Sequence, residues 1–259
     1  MGEHGKHRPL VKHRPLAERG VALRALAGLA ALLALLWATP ALAQDRCRLA
    51  LVLALDVSAS VDADEYDMQR LGLAAALDAP DVRNAILRGQ DGHVALAVFE
   101  WSGRFQQQMH MEWTTLRSHS DIDRAVLALG NIERSYEGFP TSVGQALGFA
   151  ASLLRRGPVC DRKVVDISGD GINNYGYAPK HAYRHFPLRD VVVNGLVILG
   201  DDPEVEAFYR REVVHGPGAF LELSGGFAGF RAAMTRKLFR EINDLMLGAQ
   251  GLPRLSPHG

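Results

Sequence analysis

The stretch "RLALVLALDVSAS", Arg48 to Ser60, decides how the rest of the chain is read. From Leu49 to Leu55 it is continuously apolar, the pattern of a strand covered on both faces rather than one with a wet side. It then ends in Asp56, Ser58 and Ser60 on alternate positions. A buried strand has no packing need for a carboxylate and two hydroxyls at its end, so this end is where oxygen ligands gather. One bland reading exists: Ser60 or Asp62 simply caps the helix that follows.

Outward from this strand, strand-like and helix-like runs alternate. "DADEYDMQRLGLAAALD" carries Asp62 and Glu65 at capping-box spacing and continues as a helix. "HVALAVFEWSG" (from His93) is a second strand, and the alternating "QQQMHMEWTTL" suits an antiparallel edge strand. "SDIDRAVLALGNI" predicts a helix with Ser120 as N-cap, and "TSVGQALGFAASLLRR" a second helix from Thr141. "KVVDIS" and "VVVNGLVILG" are buried strands, and "PEVEAFYRREVV" predicts a helix opened by Pro203. "HGPGAF" reads as a turn entering the short strand "AFLELS". A last helix from Phe227 places Phe230, Met234, Leu238, Ile242 and Leu245 on one face. Such alternation predicts an α/β domain: a doubly wound, mostly parallel six-stranded sheet with one antiparallel edge strand and helices on both faces. In sheets of this kind ligands bind outside the carboxyl ends of the strands.

Upstream of the strand the chain changes character. Basic residues precede "ALAGLAALLALLWA" (Ala25 to Ala38), and "ALA" (Ala41 to Ala43) follows, the layout of a secretory signal peptide. The apolar run falls short of the roughly 20 residues a membrane span needs. The expected organisation is therefore signal peptide 1–43, one domain over 44–248, and a tail over 249–259, exported by the Sec route with no membrane insertion after cleavage. Of the 259 residues, six of the 29 basic and two of the 29 acidic ones precede residue 44, so the remainder carries a formal charge of −4. That balance offers no electrostatic case for nucleic-acid binding. Its two cysteines, Cys47 and Cys160, are a disulfide candidate in an exported protein, with two free buried thiols as the alternative.

Oxygen-bearing side chains recur at two further element ends: Thr141 at a helix start, and Asp170 in "SGDGINN" after a strand. Carboxylates and hydroxyls without a Cys or His cluster suit a hard cation, Mg²⁺ or Mn²⁺. D-x-S-x-S, "TSVGQAL" and the later strand-"GDG" together resemble the metal-ion-dependent adhesion site of von Willebrand factor type A domains. "FEWSG", "DISGDGINN" and "HGPGAF" further resemble an exported bacterial type A-like family of unknown function. The resemblance implies a Rossmann-like sheet with a cation at its carboxyl edge, held by the hydroxyls of Ser58, Ser60 and Thr141 and the carboxylates of Asp56 and Asp170. It implies a partner, a protein or other ligand with an exposed carboxylate, and a periplasmic or secreted location. It also implies that the two aspartate-bearing strands are parallel neighbours. Cys47 and Cys160 precede Asp56 and Asp170 by nearly equal offsets, and would then meet at the opposite pole.

Glu100, Trp101, Ser102, Asn173 and Asn174 follow strand ends and are expected as a ligand rim, although Trp101 as core packing and the asparagines as an ordinary turn fit equally. No Ser/His/Asp, Cys/His or phosphate-loop signature accompanies the site. A metal-dependent hydrolase acting on phosphoesters is the alternative to a binding module, with Glu100 the nearest base.

Overall fold

The computed structural model describes residues 1–2, 46–88, 92–200 and 202–248, the last five of these by backbone alone. The predicted signal peptide and the 249–259 tail lie outside the described residues. Residues Gln44–Gly259 form a compact unit of their own.

That unit is built on a six-stranded sheet ordered β3-β2-β1-β4-β5-β6. Its strands are β1 (Cys47–Asp56), β2 (His93–Trp101), β3 (Gln107–Leu116), β4 (Cys160–Gly169), β5 (Val192–Ile198) and β6 (Leu221–Ser224). All neighbours pair in parallel except β2 and β3, which pair antiparallel at the edge. Seven α-helices lie among the described residues: α1 (Ala63–Asp78), α2 (Pro80–Leu87), α3 (His119–Gly130), α4 (Val143–Arg156), α5 (Pro179–His185), α6 (Val205–Phe208) and α7 (Phe230–Gly248). None of the described helices is long and apolar enough to cross a membrane.

Every residue of β1 is buried, which is why its sequence is continuously apolar. Leu49, Leu51, Leu53 and Leu55 face a core completed by α1, α2, α3 and α7, through side chains such as Leu73, Ile86, Ile122 and Phe230. Ala50, Val52 and Ala54 face the opposite core, where α4 contributes Leu147 and Leu154. Small alanines on that side let α4 approach the sheet closely. Buried Arg48 is the exception: its guanidinium donates to the carbonyls of Ala85 and Ile86, in the last turn of α2 where intrahelical donors run out, and to that of Ile242 on α7.

Three boundaries differ from the sequence reading. The N-cap of α3 is Ser118, not Ser120: Ser118 has extended backbone and shares a capping box with Asp121, whereas Ser120 already lies inside the helix. Pro203 precedes α6 rather than opening it, because Asp202 Oδ1 accepts from Glu204 N and ties off the turn. α6 then widens into a π-helical turn, Tyr209–Val213, closed by Val214 N donating to Tyr209 O at 2.9 Å. Finally, a 3₁₀ turn, Phe227–Gly229, stands before α7. On α7, Phe230, Met234, Leu238 and Ile242 are buried as the periodicity predicts.

At the pole away from the carboxyl ends, Cys47 and Cys160 are direct register partners on adjacent strands. They form a disulfide across a sequence separation of 113.

Candidate functional site

Asp56 ends β1 and is fully buried. Its Oδ1 accepts from Ser58 N at 2.8 Å, while its Oδ2 is buried without a hydrogen-bond partner. Ser58 Oγ and Ser60 Oγ stand 3.2 Å apart, and Ser60 Oγ donates to Asp170 Oδ1 at 2.8 Å. The capping alternative for Ser60 is excluded, because Asp62 fills that role in a complete capping box with Glu65. The hydroxyls are thus not needed by the backbone of α1.

The loop that carries them is held by groups the sequence did not single out. Arg134 Nη2 lies within hydrogen-bond distance of three carbonyls, those of Val57, Ser58 and Val61. Gln69 Nε2 donates to Asp56 O at 2.9 Å, and Ala59 N donates to Phe139 O. Arg134 lies more than 70 residues further along the chain, so only the fold reveals that it turns this loop.

Thr141 arrives from the other core. α4 has no side-chain cap of its own at Ser142. Instead Asn173 Oδ1 accepts from Gly144 N at 3.0 Å, and Asn174 Oδ1 accepts from Thr141 N at 2.9 Å. The Asn174 backbone N–H returns the bond to Thr141 O. The loop after β4 therefore caps α4 across space. Asn173 and Asn174, expected as rim, spend their side-chain oxygens fixing Thr141 relative to Asp170, although Asn174 also borders the cavity described below. The glycine of the "TSVGQAL" motif has a steric reason: a Cβ on Gly144 would lie 1.9 Å from Tyr177 O. A Cβ on Gly171 would lie 3.4 Å from Thr141 Oγ1, so the Thr141 hydroxyl faces the chain immediately after Asp170.

Ser60, Thr141 and Asp170 are among the residues that line a cavity of about 340 Å³ at the carboxyl edge of the sheet. Below it, Gly169 supports a second close approach. A Cβ there would sit 2.6 Å from Tyr209 Oη and 2.7 Å from Asp56 Oδ2. Tyr209 is fully buried, and its hydroxyl, like Asp56 Oδ2, has no hydrogen-bond partner. Burial first, then the carboxylates of Asp56, Asp170 and Asp166, push this phenol well above its ordinary range. The π turn brings Tyr209 here, a placement no sequence pattern announces. Gly169→Ala is expected to cost about 1–3 kcal/mol, the usual penalty for overfilling a packed site. Urea unfolding measures it, and unchanged stability would mean that Tyr209 and Asp56 move aside freely.

Glu100, Trp101 and Ser102 require a correction. All three are fully buried, so they lie beneath the surface and do not form its rim. Trp101 packs with Ala54 and Phe99, the packing alternative. The Glu100 carboxylate accepts from Tyr66 Oη at 2.6 Å and Ser135 N at 2.9 Å, with His110 Nε2 at 3.0 Å. Burial pushes its carboxyl up, but the bonds from His110 and Tyr66 more than offset this and hold it below the ordinary value. Ser135 Oγ also meets His110, 3.1 Å from the same Nε2. One ring nitrogen cannot donate to Glu100 and accept from Ser135 at once, so the trio is not a nucleophile–base–acid relay.

The electrostatics of the edge favour a cation. Burial, and next the neighbouring Asp170 carboxylate, push Asp56 up to about 8 against the bonds from Ser58. Two carboxylates, one buried with an unpartnered oxygen, stand beside three hydroxyls, a donor set that fits a hard divalent ion. Among the described residues no group of three or more His, Cys, Asp or Glu side chains could hold a metal, so a cation here would depend on the hydroxyls.

Comparison with known proteins agrees with this architecture. The family model described as "Protein of unknown function (DUF1194)" matches residues 46–246. Proximal thread matrix protein 1 from the mussel byssus, in a structure with a zinc-occupied MIDAS motif, superposes with a TM-score of 0.54 at 17% identity, covering 77% of this chain and 47% of that one. The PilB minor pilin from Streptococcus sanguinis gives 0.60 at 12% identity, covering 81% and 64%. A von Willebrand factor type A protein from Catenulispora acidiphila gives 0.50 at 14% identity, covering 78% and 43%. At such identities the likeness shows the fold alone, a von Willebrand factor type A-like fold. The chain spans about half the length of the mussel structures it matches. No curated protein sequence matches it.

Proposed function

The chain belongs to the DUF1194 family, with a von Willebrand factor type A-like fold, and on that premise we propose that it is an exported, cation-dependent binding module. Ser58, Ser60 and Thr141 would hold a Mg²⁺ or Mn²⁺ ion through their hydroxyls. Asp56 and Asp170 would bind it directly or through water. The ion would supply Lewis acidity for an acidic group of a partner, a protein or other ligand with an exposed carboxylate. The observation that carries this reading is the buried, unpartnered Oδ2 of Asp56 beside Asp170 and the serine hydroxyls, where burial and the Asp170 carboxylate outweigh the opposing pull of the Ser58 bonds and Arg134. The zinc-occupied motif of the mussel protein supports the same chemistry.

Export is proposed from the 1–43 segment, to the periplasm or outside the cell, and the Cys47–Cys160 disulfide supports an oxidising compartment. The hydrolase alternative loses its base, since Glu100 is buried with its oxygens engaged by Tyr66, Ser135 and His110.

Thermal unfolding of the oxidised protein from Gln44 onward, in EDTA and then with Mg²⁺, Mn²⁺ or Ca²⁺, tests the proposal. A ligand bound only by the native state at a hundred times its Kd adds about 2.7 kcal/mol. Mg²⁺ or Mn²⁺ is expected to raise the midpoint, and Asp56→Ala and Ser60→Ala to lose the rise. No shift with any of the ions at millimolar concentration would overturn it.

A further inference from the structure

The cavity lined by Ser60, Thr141 and Asp170 is lined by other residues as well. Its lining also includes the apolar side chains of Ile172, Ile198, Leu199, Phe227 and Phe139. Phe139 and Leu199 are each 38% exposed, large apolar side chains left at the surface in loops that border the cavity. An exposed apolar surface rimmed by polar groups marks an interaction site rather than chance exposure. The cavity volume, about 340 Å³, lies within the roughly 300–1,000 Å³ of ligand pockets.

Charge narrows the occupant. Glu65 and Asp202 also line the cavity, and no Lys or Arg does so among the described residues. Each acid is anchored, Glu65 by Asp62 N and Asp202 by Ile172 N and Glu204 N, so neither swings away. A second anionic group entering here meets repulsion, whereas an uncharged apolar side chain meets a matching wall.

We propose that this cavity is a side-chain pocket that reads the residue next to the coordinating acid. Its occupant is a protein segment presenting a single carboxylate beside a bulky apolar side chain, with no second acid. The inference rests on the cation reading above: the oxygen-bearing part of the lining is the metal position, and the apolar side chains of the lining supply selectivity.

Three capped dipeptides test it on the oxidised protein in saturating Mg²⁺: acetyl-Asp-Leu-amide, acetyl-Asp-Ser-amide and acetyl-Asp-Asp-amide, with affinities read by ligand-observed NMR. Burial of the leucine side chain is expected to give about tenfold tighter binding than serine. The doubly acidic peptide is expected to bind no better than the serine one. Gly200→Leu places a side chain at the cavity, where a Cβ meets nothing within 4 Å, so the fold tolerates it. This variant is expected to keep the Mg²⁺-induced rise in unfolding temperature and to lose the leucine preference. Equal affinities for the leucine and serine peptides, with the Mg²⁺ rise intact, would overturn the pocket and leave the cation reading standing. A leucine preference that survives in Gly200→Leu would likewise remove the pocket as its source. Absence of the Mg²⁺ rise in the parent protein would overturn the cation reading, and the pocket with it.

Discussion

Lys237→Met is expected to destabilise the protein by about 3–5 kcal/mol, the range for removing one partner of a buried ion cluster. Lys237 is fully buried on α7, with its Nζ 2.5 Å from Glu241 Oε1 and 2.9 Å from Asp166 Oδ2 on β4. Glu241 also accepts from Asn194 Nδ2 at 2.7 Å on β5. The Lys237 ammonium thus stands between the carboxylates of Glu241 and Asp166 and offsets both. Removing the ammonium leaves two carboxylates facing each other in the core beneath α7.

The deficit should depend on pH with a definite sign. Burial first, and the nearby Glu241, raise Asp166 to about 7, against the pull of Lys237. An acid raised on folding keeps its proton after the unfolded chain has lost it, so this group's contribution falls as pH rises from about 4 to 7. Without Lys237 nothing favours the Asp166 carboxylate, and the loss continues to higher pH. Urea unfolding at pH 5 and pH 8.5 checks this. The variant should lose more at pH 8.5, and equal deficits would mean that the cluster adjusts as a unit.

Reduction of the Cys47–Cys160 disulfide, or the double variant Cys47→Ala/Cys160→Ala, is expected to cost about 4–5 kcal/mol in the chain-entropy model. The sequence separation of 113 makes the loop long, and a long loop gains most in the unfolded ensemble from being cut free. The bridge joins register partners at the pole opposite the candidate cation site. Denaturant midpoints with and without reductant measure the cost. A change below about 1 kcal/mol would mean that the reduced unfolded chain stays compact enough to lose little entropy.

Much of the fold is legible because burial writes itself into composition. β1 is covered on both faces, so it reads as an uninterrupted apolar run, and β3 at the edge alternates because part of it meets water. The turn after β1 is equally plain: Asp62 and Glu65 carry a capping box in their spacing. α3 shows the limit, because Ser118–Asp121 and Ser120–Asp123 offer the same spacing and only the packing of Ile122, Ala125 and Leu129 selects the first. Lys237 and Glu241 show a related limit. At i,i+4 on a helix they read as a solvated pair, yet Asp166 and Asn194 rise from the sheet beneath and draw them inward.

Local chemistry determined where the strands run and which of their ends are rich in side-chain oxygen, since each is set by neighbours within a few positions, while the resemblance to type A domains grouped five of those residues into one candidate set. Tertiary structure decided what surrounds them. Arg134 turning the serine loop, the asparagines capping α4 from another segment, Tyr209 swung over Gly169 by a π turn, and the burial of Glu100 all depend on residues far apart in the chain. Such contacts form only when the sheet brings those segments together, and their energies come from packing and desolvation at that meeting, which no short stretch of sequence contains.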